Sequence, residues 1–149
     1  MKPAFSFPAS ARSIALLLAL SAATVTAQAQ TTETTKTVSR WEAAISKFET
    51  RDQQTSPPQN AILFVGSSSI VGWDVEKSFP GKPVINRGFG GSQVSDVLEY
   101  FDRVVVPYKP QIVVLYSGDN DINGGKSPET VAADIKEFVR LVDEKVPSA

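Results

Sequence analysis

The sequence predicts an α/β protein with a doubly wound parallel sheet. Short apolar runs of strand length alternate with segments of helical periodicity, an order that favours helices packed on a parallel sheet. The first run, residues 61–65, is apolar at every position, as is typical of a strand covered on both faces. A polar, glycine-containing cluster follows each of three such runs. In a sheet of this kind the three clusters meet at one edge, where ligands bind.

The first elements can be assigned from spacing and composition. Residues 39–50 are predicted to be helical, because their apolar side chains recur at the i, i+3, i+4, i+7 spacing of one helix face. A proline-containing linker, residues 53–60, separates this helix from the first strand, residues 61–65. Residues 84–85 are predicted to form a short second strand.

The second half of the chain continues the alternation. The apolar residues of segment 94–105 follow helical spacing, and Pro107 ends that helix. Residues 111–116 form the third predicted strand. Ser127 is a favourable N-cap and Pro128 a favourable first residue for the last helix. Because three strands make a small sheet, we expect the chain to be truncated at its C-terminus, about two β/α units of roughly 30 residues each short of a five-stranded sheet.

The N-terminal segment, residues 1–29, has the pattern of a secretory signal peptide. Lys2 and Arg12 form a basic start, residues 14–23 are largely apolar, and an Ala-Gln-Ala sequence precedes a cleavage point near Ala29-Gln30. The alternative is a membrane anchor, but the apolar run is shorter than the roughly 20 residues that span a bilayer. We therefore expect a secreted or periplasmic protein with no stable membrane anchor after cleavage.

Composition excludes several kinds of site. The chain has no cysteine and no histidine, so it has no disulfide or thiolate metal site, and a zinc site would need carboxylates alone. Its net charge is -1 and it has no basic patch, which argues against a nucleic-acid partner. No metal or organic cofactor is implied.

The first polar cluster, residues 66–69, reads Gly-Ser-Ser-Ser. A serine in a tight turn beyond a strand holds its hydroxyl clear of the sheet, and its own N–H can point toward a developing oxyanion. Taken alone, the cluster is more typical of a serine-rich turn that caps the next helix. It does not match the G-x-S-x-G elbow, because Ile70 replaces the second glycine, and it does not match a phosphate loop.

The other two clusters are also ambiguous when taken singly. Residues 88–92 contain glycines that permit close backbone approach at a helix start, or they form only a tight turn. In residues 118–121, the Asn120 amide can donate into a cleft and Asp121 can fix the loop by accepting backbone N–H bonds. The alternatives there are a simple Asx-rich turn and, less favoured, a metal held by Asp119 and Asp121, which offer too few ligands for calcium.

Taken together, the three clusters resemble the sequence blocks of the SGNH hydrolase superfamily, the GDSL-type esterases and lipases. Ser68 falls at the nucleophile position, although Ser67 replaces the aspartate that is common before it. Gly91 falls at an oxyanion-donor position, with Ser92 where an aspartate is frequent. The G-x-N-D block is matched in full and makes Asn120 the side-chain oxyanion donor. The supporting residues of these blocks are Gly66, Ser67, Gly118 and Asp121.

The resemblance covers roughly residues 61–147 and implies both a fold and a function. The fold would be flavodoxin-like and incomplete. Residues 30–60 would form the lead-in, N-terminal helix and linker, and residues 61–149 the N-terminal part of the hydrolase domain. The function would be that of an exported esterase that cleaves a carboxylic ester through an acyl-serine intermediate. Its substrate would be a small-molecule, glycan or lipid ester, and it would need no cofactor.

The main departure of the chain from the superfamily is that it contains no D-x-x-H block and no histidine. A serine hydroxyl is a weak nucleophile without an adjacent base, so we expect little or no activity from this chain alone. Asp119 or Asp121 would be a poor substitute, since an ordinary aspartate has a pKa of about 4. Two alternatives stay open: a non-catalytic carbohydrate- or acyl-group-binding module on the same fold, and a small flavin- or phosphate-binding domain.

Four further residues could serve either the packing of the fold or the site. Trp41 is expected to pack its helix onto the sheet rather than line a cleft, while Trp73 fits either role. Arg87 is expected to pair with a local carboxylate rather than with a substrate. Tyr116 is expected to lie in the core.

Overall fold

The computed structural model of the chain describes residues 39–149. The predicted signal peptide over residues 1–29 and the lead-in over residues 30–37 lie outside the described residues. The strands are β1 (Ile62–Gly66), β2 (Val84–Gly88) and β3 (Ile112–Tyr116). The helices are α1 (Glu42–Gln54), α2 (Ser68–Val71), α3 (Val75–Ser78), α4 (Val94–Glu99), α5 (Phe101–Val104), α6 (Asp119–Asn123) and α7 (Pro128–Lys145), with a 3-10 turn at Val106–Tyr108.

The three strands form one parallel sheet in the order β2-β1-β3. β1 is central, and Gly66 at its end is level with Gly88 of β2 and with Tyr116 of β3. All three strands therefore end at the same edge of the sheet. This is the strand order of a flavodoxin-like fold, and the predicted fold class, an incomplete sheet of about three strands, is confirmed.

Side chains of β1 alternate between two apolar clusters, one on each face of the sheet. Leu63 and Val65 belong to the larger cluster, which includes residues of α1, α4, α5 and α7. Phe64 belongs to the smaller cluster, with Ile70 of α2 and Val75 of α3. Burial on both faces explains why residues 61–65 are apolar at every position.

The second strand is longer than predicted, because its second half is polar and gave no apolar pattern, although Arg87 in it is buried. β2 continues through Asn86 and Arg87 to Gly88. Arg87 is 2% exposed, and its guanidinium donates to the Tyr108 hydroxyl at 2.6 Å and to the Asp52 carboxylate at 2.5 Å. The carboxylate expected for Arg87 is thus present, but it lies on α1, 35 residues earlier in the chain.

Three other elements differ from the sequence prediction. The helix predicted over residues 94–105 is divided into α4 and α5 at Tyr100, whose backbone leaves the helical region. The short helices α2, α3 and α6 were not predicted, because four or five residues are too few to show a period. The prediction that Tyr116 lies in the core is wrong: it is 52% exposed, because β3 has a single neighbouring strand among the described residues.

Among residues 39–149, no helix combines the length and the apolar character that crossing a bilayer requires.

Gly66 is the residue on which the packing of the first turn against β3 depends. Its φ is 143°, and a Cβ added there would stand 1.9 Å from the Tyr116 carbonyl oxygen. Gly81 also has a positive φ, of 73°, but a Cβ there would meet no atom within 4 Å. Gly81 is therefore a control that also has a positive φ but lacks the close approach.

We expect Gly66→Ala to lower the free energy of unfolding by more than about 4 kcal/mol or to prevent folding, because β3 must move. Gly81→Ala should cost only about 1–2 kcal/mol, the penalty of a left-handed alanine. Urea unfolding followed by tryptophan fluorescence measures both variants. Equal losses in the two variants would contradict the close approach of β1 and β3 at this turn.

Candidate active site

Ser68 lies in the first turn beyond the central strand. It is the first residue of α2 and is exposed, whereas its neighbour Ser67 is fully buried. The Ser67 N–H donates to the Tyr116 carbonyl at 3.1 Å, which ties this turn to the end of β3. The Ser68 N–H donates to no acceptor among residues 39–149. An exposed hydroxyl and an uncommitted N–H therefore belong to one residue at the sheet edge.

The second loop begins against the first. The Phe89 N–H donates to the Gly66 carbonyl at 2.9 Å, directly after β2 ends. Gly91 adopts a φ of 75°, a conformation that favours glycine, and its N–H donates to no acceptor within the described part of the chain. Ser92 is fully buried, and its hydroxyl oxygen has no hydrogen-bond partner among those residues.

The third loop, residues 118–121, includes the start of α6 and is joined to the second loop, residues 89–93, by hydrogen bonds in both directions. The Asn120 side-chain amide donates to the Ser92 carbonyl at 2.9 Å. The Gln93 side-chain amide donates back to the Asn120 carbonyl at 3.3 Å. An asparagine amide has two hydrogens, so Asn120 keeps a second one for another acceptor. Gly118, with a φ of 124°, turns the chain from β3 into α6.

Asp121 is fully buried and fixes the third loop across a long sequence distance. Its two carboxylate oxygens accept the Val94 N–H, the first of α4, at 3.2 and 3.0 Å. The Lys126 ammonium lies 2.8 Å from Asp121, 3.1 Å from Asp134 and 2.9 Å from the Ser95 hydroxyl. Partial burial lowers the pKa of Lys126, but its bonds to the two carboxylates outweigh this effect and leave the pKa raised above its ordinary value.

The two aspartates of the third loop differ in what they can do. Asp121 is occupied by the Val94 N–H and by Lys126, so it is not free to take a proton from Ser68. Asp119 is exposed, and the carboxylate oxygen accepts a long, 3.5 Å bond from the Ser67 hydroxyl. No group of three or more aspartates, glutamates, cysteines or histidines within residues 39–149 is arranged to hold a metal ion.

The N-terminal end of α1 reaches the second loop. Arg40 donates to the Gly91 carbonyl at 3.1 Å, and its guanidinium carbon lies 4.0 Å from the ring centre of Trp41. The Trp41 ring packs edge-on against Phe89, and its far carbon would lie 3.5 Å from a Cβ on Gly91. Trp41 therefore packs α1 onto the core and also contacts the loop of the candidate site.

Trp73 is 40% exposed and packs against Phe64 and Phe79 on the other face of the sheet. Its indole N–H donates to the Ser78 hydroxyl at 2.8 Å. These contacts give Trp73 a packing role within the smaller apolar cluster.

The structure thus brings together, at one sheet edge, the loops that carry Ser68, Gly91 and Asn120. Sequence reasoning missed Gln93 and Lys126, which connect these loops, and Arg40, which bonds Gly91. It predicted the packing of Trp41 but not its contact with Gly91. Lys126 could not be paired with Asp121 from the sequence, because it follows the end of α6 and does not lie three or four residues from Asp121 on one helix. No local pattern relates Arg40 to Gly91, because the contact spans 51 residues.

Comparison with known proteins assigns the family of the chain. Residues 66–149, more than half of the chain, match the model of the GDSL-like lipase/acylhydrolase family. The chain belongs to that family. Its members act on ester substrates, which accords with the predicted resemblance. Among curated proteins, no match is found.

Solved structures share the fold. A candidate platelet activating factor from Streptococcus pneumonia is 23% identical, with a TM-score of 0.62, over 72% of this chain and 50% of its own. A GDSL-like lipase from Bacteroides thetaiotaomicron is 22% identical, with a TM-score of 0.60, over 69% of this chain and 54% of its own. A candidate acylhydrolase from Bacteroides fragilis is 24% identical, with a TM-score of 0.59, over 69% and 53%. The chain spans about half the length of these proteins.

The Asp121–Lys126 pair is expected to stabilise the junction of the second and third loops. Lys126→Met should lower the free energy of unfolding by about 3–5 kcal/mol, because it leaves a buried carboxylate without its cation. Arg140→Met is a matched control, since Arg140 pairs with exposed glutamates, and should cost less than about 1 kcal/mol.

Urea unfolding compares these variants with a double variant, Asp121→Asn with Lys126→Met. The double variant should recover part of the loss, because the uncompensated charge is gone. A Lys126→Met variant no less stable than Arg140→Met would show that the pair contributes nothing at this junction.

Proposed function

We propose that this chain is the nucleophile-bearing part of an exported serine esterase, in which Ser68 attacks the carbonyl carbon of a carboxylic ester. The observation that carries the proposal is the exposure of Ser68 at the sheet edge where the other two loops each keep a donor, the Gly91 N–H and one hydrogen of the Asn120 amide. Attack would form an acyl-serine intermediate and release the alcohol. Water would then release the acid and restore Ser68.

The negative charge that develops on the carbonyl oxygen would be held by three donors. These are the N–H groups of Ser68 and Gly91 and the second amide hydrogen of Asn120. A donor of this kind typically contributes roughly 3 kcal/mol to the stabilisation of the transition state. The hydrogen bond from Asn120 to the Ser92 carbonyl, at 2.9 Å, would hold the amide in place before substrate binds.

The proton of Ser68 has no good acceptor among residues 39–149. The 149 residues contain no histidine, and Asp121 is already bonded to Lys126. We therefore propose that hydrolysis by this chain alone is slow or absent. The donors and binding could still supply up to about 10³–10⁴-fold acceleration over water, as they do when a triad member is removed from other enzymes.

The role of Ser68 is tested with p-nitrophenyl acetate and added imidazole, which can act as the missing base. We expect slow release of p-nitrophenol that imidazole accelerates, and an acetyl group on Ser68 detected by mass spectrometry. Ser68→Ala should abolish both signals above the background of imidazole itself. Ser69→Ala, which removes an adjacent exposed hydroxyl, should leave them unchanged.

Two results would contradict parts of this proposal. Equal rates for the original chain and Ser68→Ala, with imidazole present, would exclude Ser68 as nucleophile and favour the non-catalytic binding module. Turnover without imidazole at an ordinary enzyme rate, about 10 s⁻¹, that Ser68→Ala abolishes would show that a base is already present.

We also propose that residues 1–29 direct export and are then removed. The support is the basic start, the apolar run and the small residues before Gln30. When the chain is expressed in a bacterial host, we expect to recover it outside the cytoplasm. Its intact mass, measured by mass spectrometry, should be that of a chain whose first residue is Gln30. Ala29→Asp should block cleavage and retain the larger mass. Recovery of uncleaved, unsubstituted chain in the cytoplasm would contradict this proposal.

A further inference from the structure

The Arg40 side chain lies beside the loop that carries Gly91. Arg40 is exposed, and one of its N–H groups donates to the Gly91 carbonyl at 3.1 Å. Its guanidinium carbon lies 4.0 Å from the centre of the Trp41 ring, a cation–π contact on the same side chain. A guanidinium has five N–H donors, so this contact leaves several of them for a ligand.

The charge of Arg40 is not neutralised by the described part of the chain. Arg87, Arg103 and Arg140 each form ion pairs with carboxylates, whereas Arg40 has no carboxylate within 4.0 Å among residues 39–149. The nearest acidic residue in sequence, Glu42, is paired with Arg103. An uncompensated cation at the rim of a cleft attracts anionic ligands.

Covalent geometry limits how far Arg40 is from the proposed oxyanion donor. The N and O atoms of Gly91 are separated by three bonds whose lengths sum to about 4.2 Å. Since Arg40 lies 3.1 Å from the Gly91 oxygen, its bonding nitrogen is within roughly 7 Å of the Gly91 nitrogen. A substrate whose carbonyl oxygen is bound by the Gly91 N–H can therefore place a charged group, a few bonds from that carbonyl, against Arg40.

We propose that Arg40 selects esters that carry an anionic group, such as a carboxylate, a few bonds from the scissile carbonyl. This inference rests on the proposed function, because it names the substrate class of the same site. The anionic group would lie beside Gly91, where Arg40 donates to the carbonyl. The carboxylate of Asp119 is exposed and contacts Ser67 in the turn after β1. Its negative charge would repel an anionic substrate group placed on that side of the site.

A purely positioning role for Arg40 makes a different prediction. If the hydrogen bond to Gly91 only held the loop, loss of Arg40 would slow the hydrolysis of neutral and anionic esters equally. Arg40→Gln keeps an N–H donor for the Gly91 carbonyl and removes the charge, whereas Arg40→Lys keeps the charge. Arg51→Gln is the matched control, because Arg51 is an exposed arginine of α1 that stacks on Phe48, away from this loop.

The test compares paired esters in the presence of imidazole. On the acid side the pair is mono-p-nitrophenyl adipate, whose chain is too long for rapid attack by its own carboxylate, and p-nitrophenyl hexanoate, and on the alcohol side it is 4-acetoxybenzoate and phenyl acetate. We expect a preference, measured as a ratio of kcat/KM corrected for the Ser68→Ala background, of about tenfold for one anionic ester over its neutral partner. The pair of esters that shows the preference identifies whether the charged group belongs to the acid or to the alcohol part of the substrate.

Arg40→Gln should reduce this preference to about one, Arg40→Lys should keep most of it, and Arg51→Gln should leave it unchanged. Raising the salt concentration should weaken it, because the pair is exposed. An unchanged preference in Arg40→Gln, an absent preference in the original chain, or an equal loss on both esters would each overturn the inference.

A binding measurement separates failure of this inference from failure of the proposed function. If no ester is hydrolysed above the Ser68→Ala background, succinate and neutral succinamide are titrated into the ¹⁵N-labelled chain while the Gly91 amide resonance is followed. A shift with succinate that is absent with succinamide and lost in Arg40→Gln supports an anion site at Arg40. No shift with succinate overturns it.

Discussion

The candidate site depends on the register of β1 between its two neighbours. Gly66 is level with Gly88 and with Tyr116, so the chain leaves all three strands at the same height. A slip of one residue in either pairing would turn the side chains of that strand to the opposite face and separate the loops. The absence of a side chain at Gly66 permits this register, because the Tyr116 carbonyl occupies the space that a Cβ would need.

Buried polar contacts then fix the loops that the register brings together. Before the second loop, Arg87 joins β2 to Asp52 on α1 and to Tyr108. Burial, with a further contribution from the hydrogen bond to Asp52, raises the pKa of Tyr108 to about 12, so its hydroxyl keeps its proton and donates to that carboxylate at 2.6 Å. Beyond the loop, Asp121 and Lys126 join α4 to α6. The apolar clusters stabilise the sheet, whereas these ionic contacts determine where its loops lie.

Sequence patterns predicted the parts of this molecule that rest on local rules. Periodicity and capping alone predicted β1 from its all-apolar run and the start of α7 at Ser127–Pro128. They also predicted the order in which strands and turns alternate. The extension of β2 through Arg87 did not, because its burial depends on partners that are distant in sequence. For the same reason Asp121 was expected to act within its own loop, whereas its partners include Val94, 27 residues earlier. Contacts of this kind carry no local signal, and they connect the loops of the candidate site.

The central claim is that the Ser68 N–H, the Gly91 N–H and the Asn120 amide can bind one oxygen atom. The most direct measurement is a crystal structure of the chain with an alkyl phosphonate attached to Ser68, whose phosphoryl oxygen occupies the position of the oxyanion. Our interpretation predicts that this oxygen lies about 3 Å from all three nitrogen atoms. A phosphoryl oxygen that faces solvent, with the Gly91 or Asn120 nitrogen beyond hydrogen-bond distance, would contradict it.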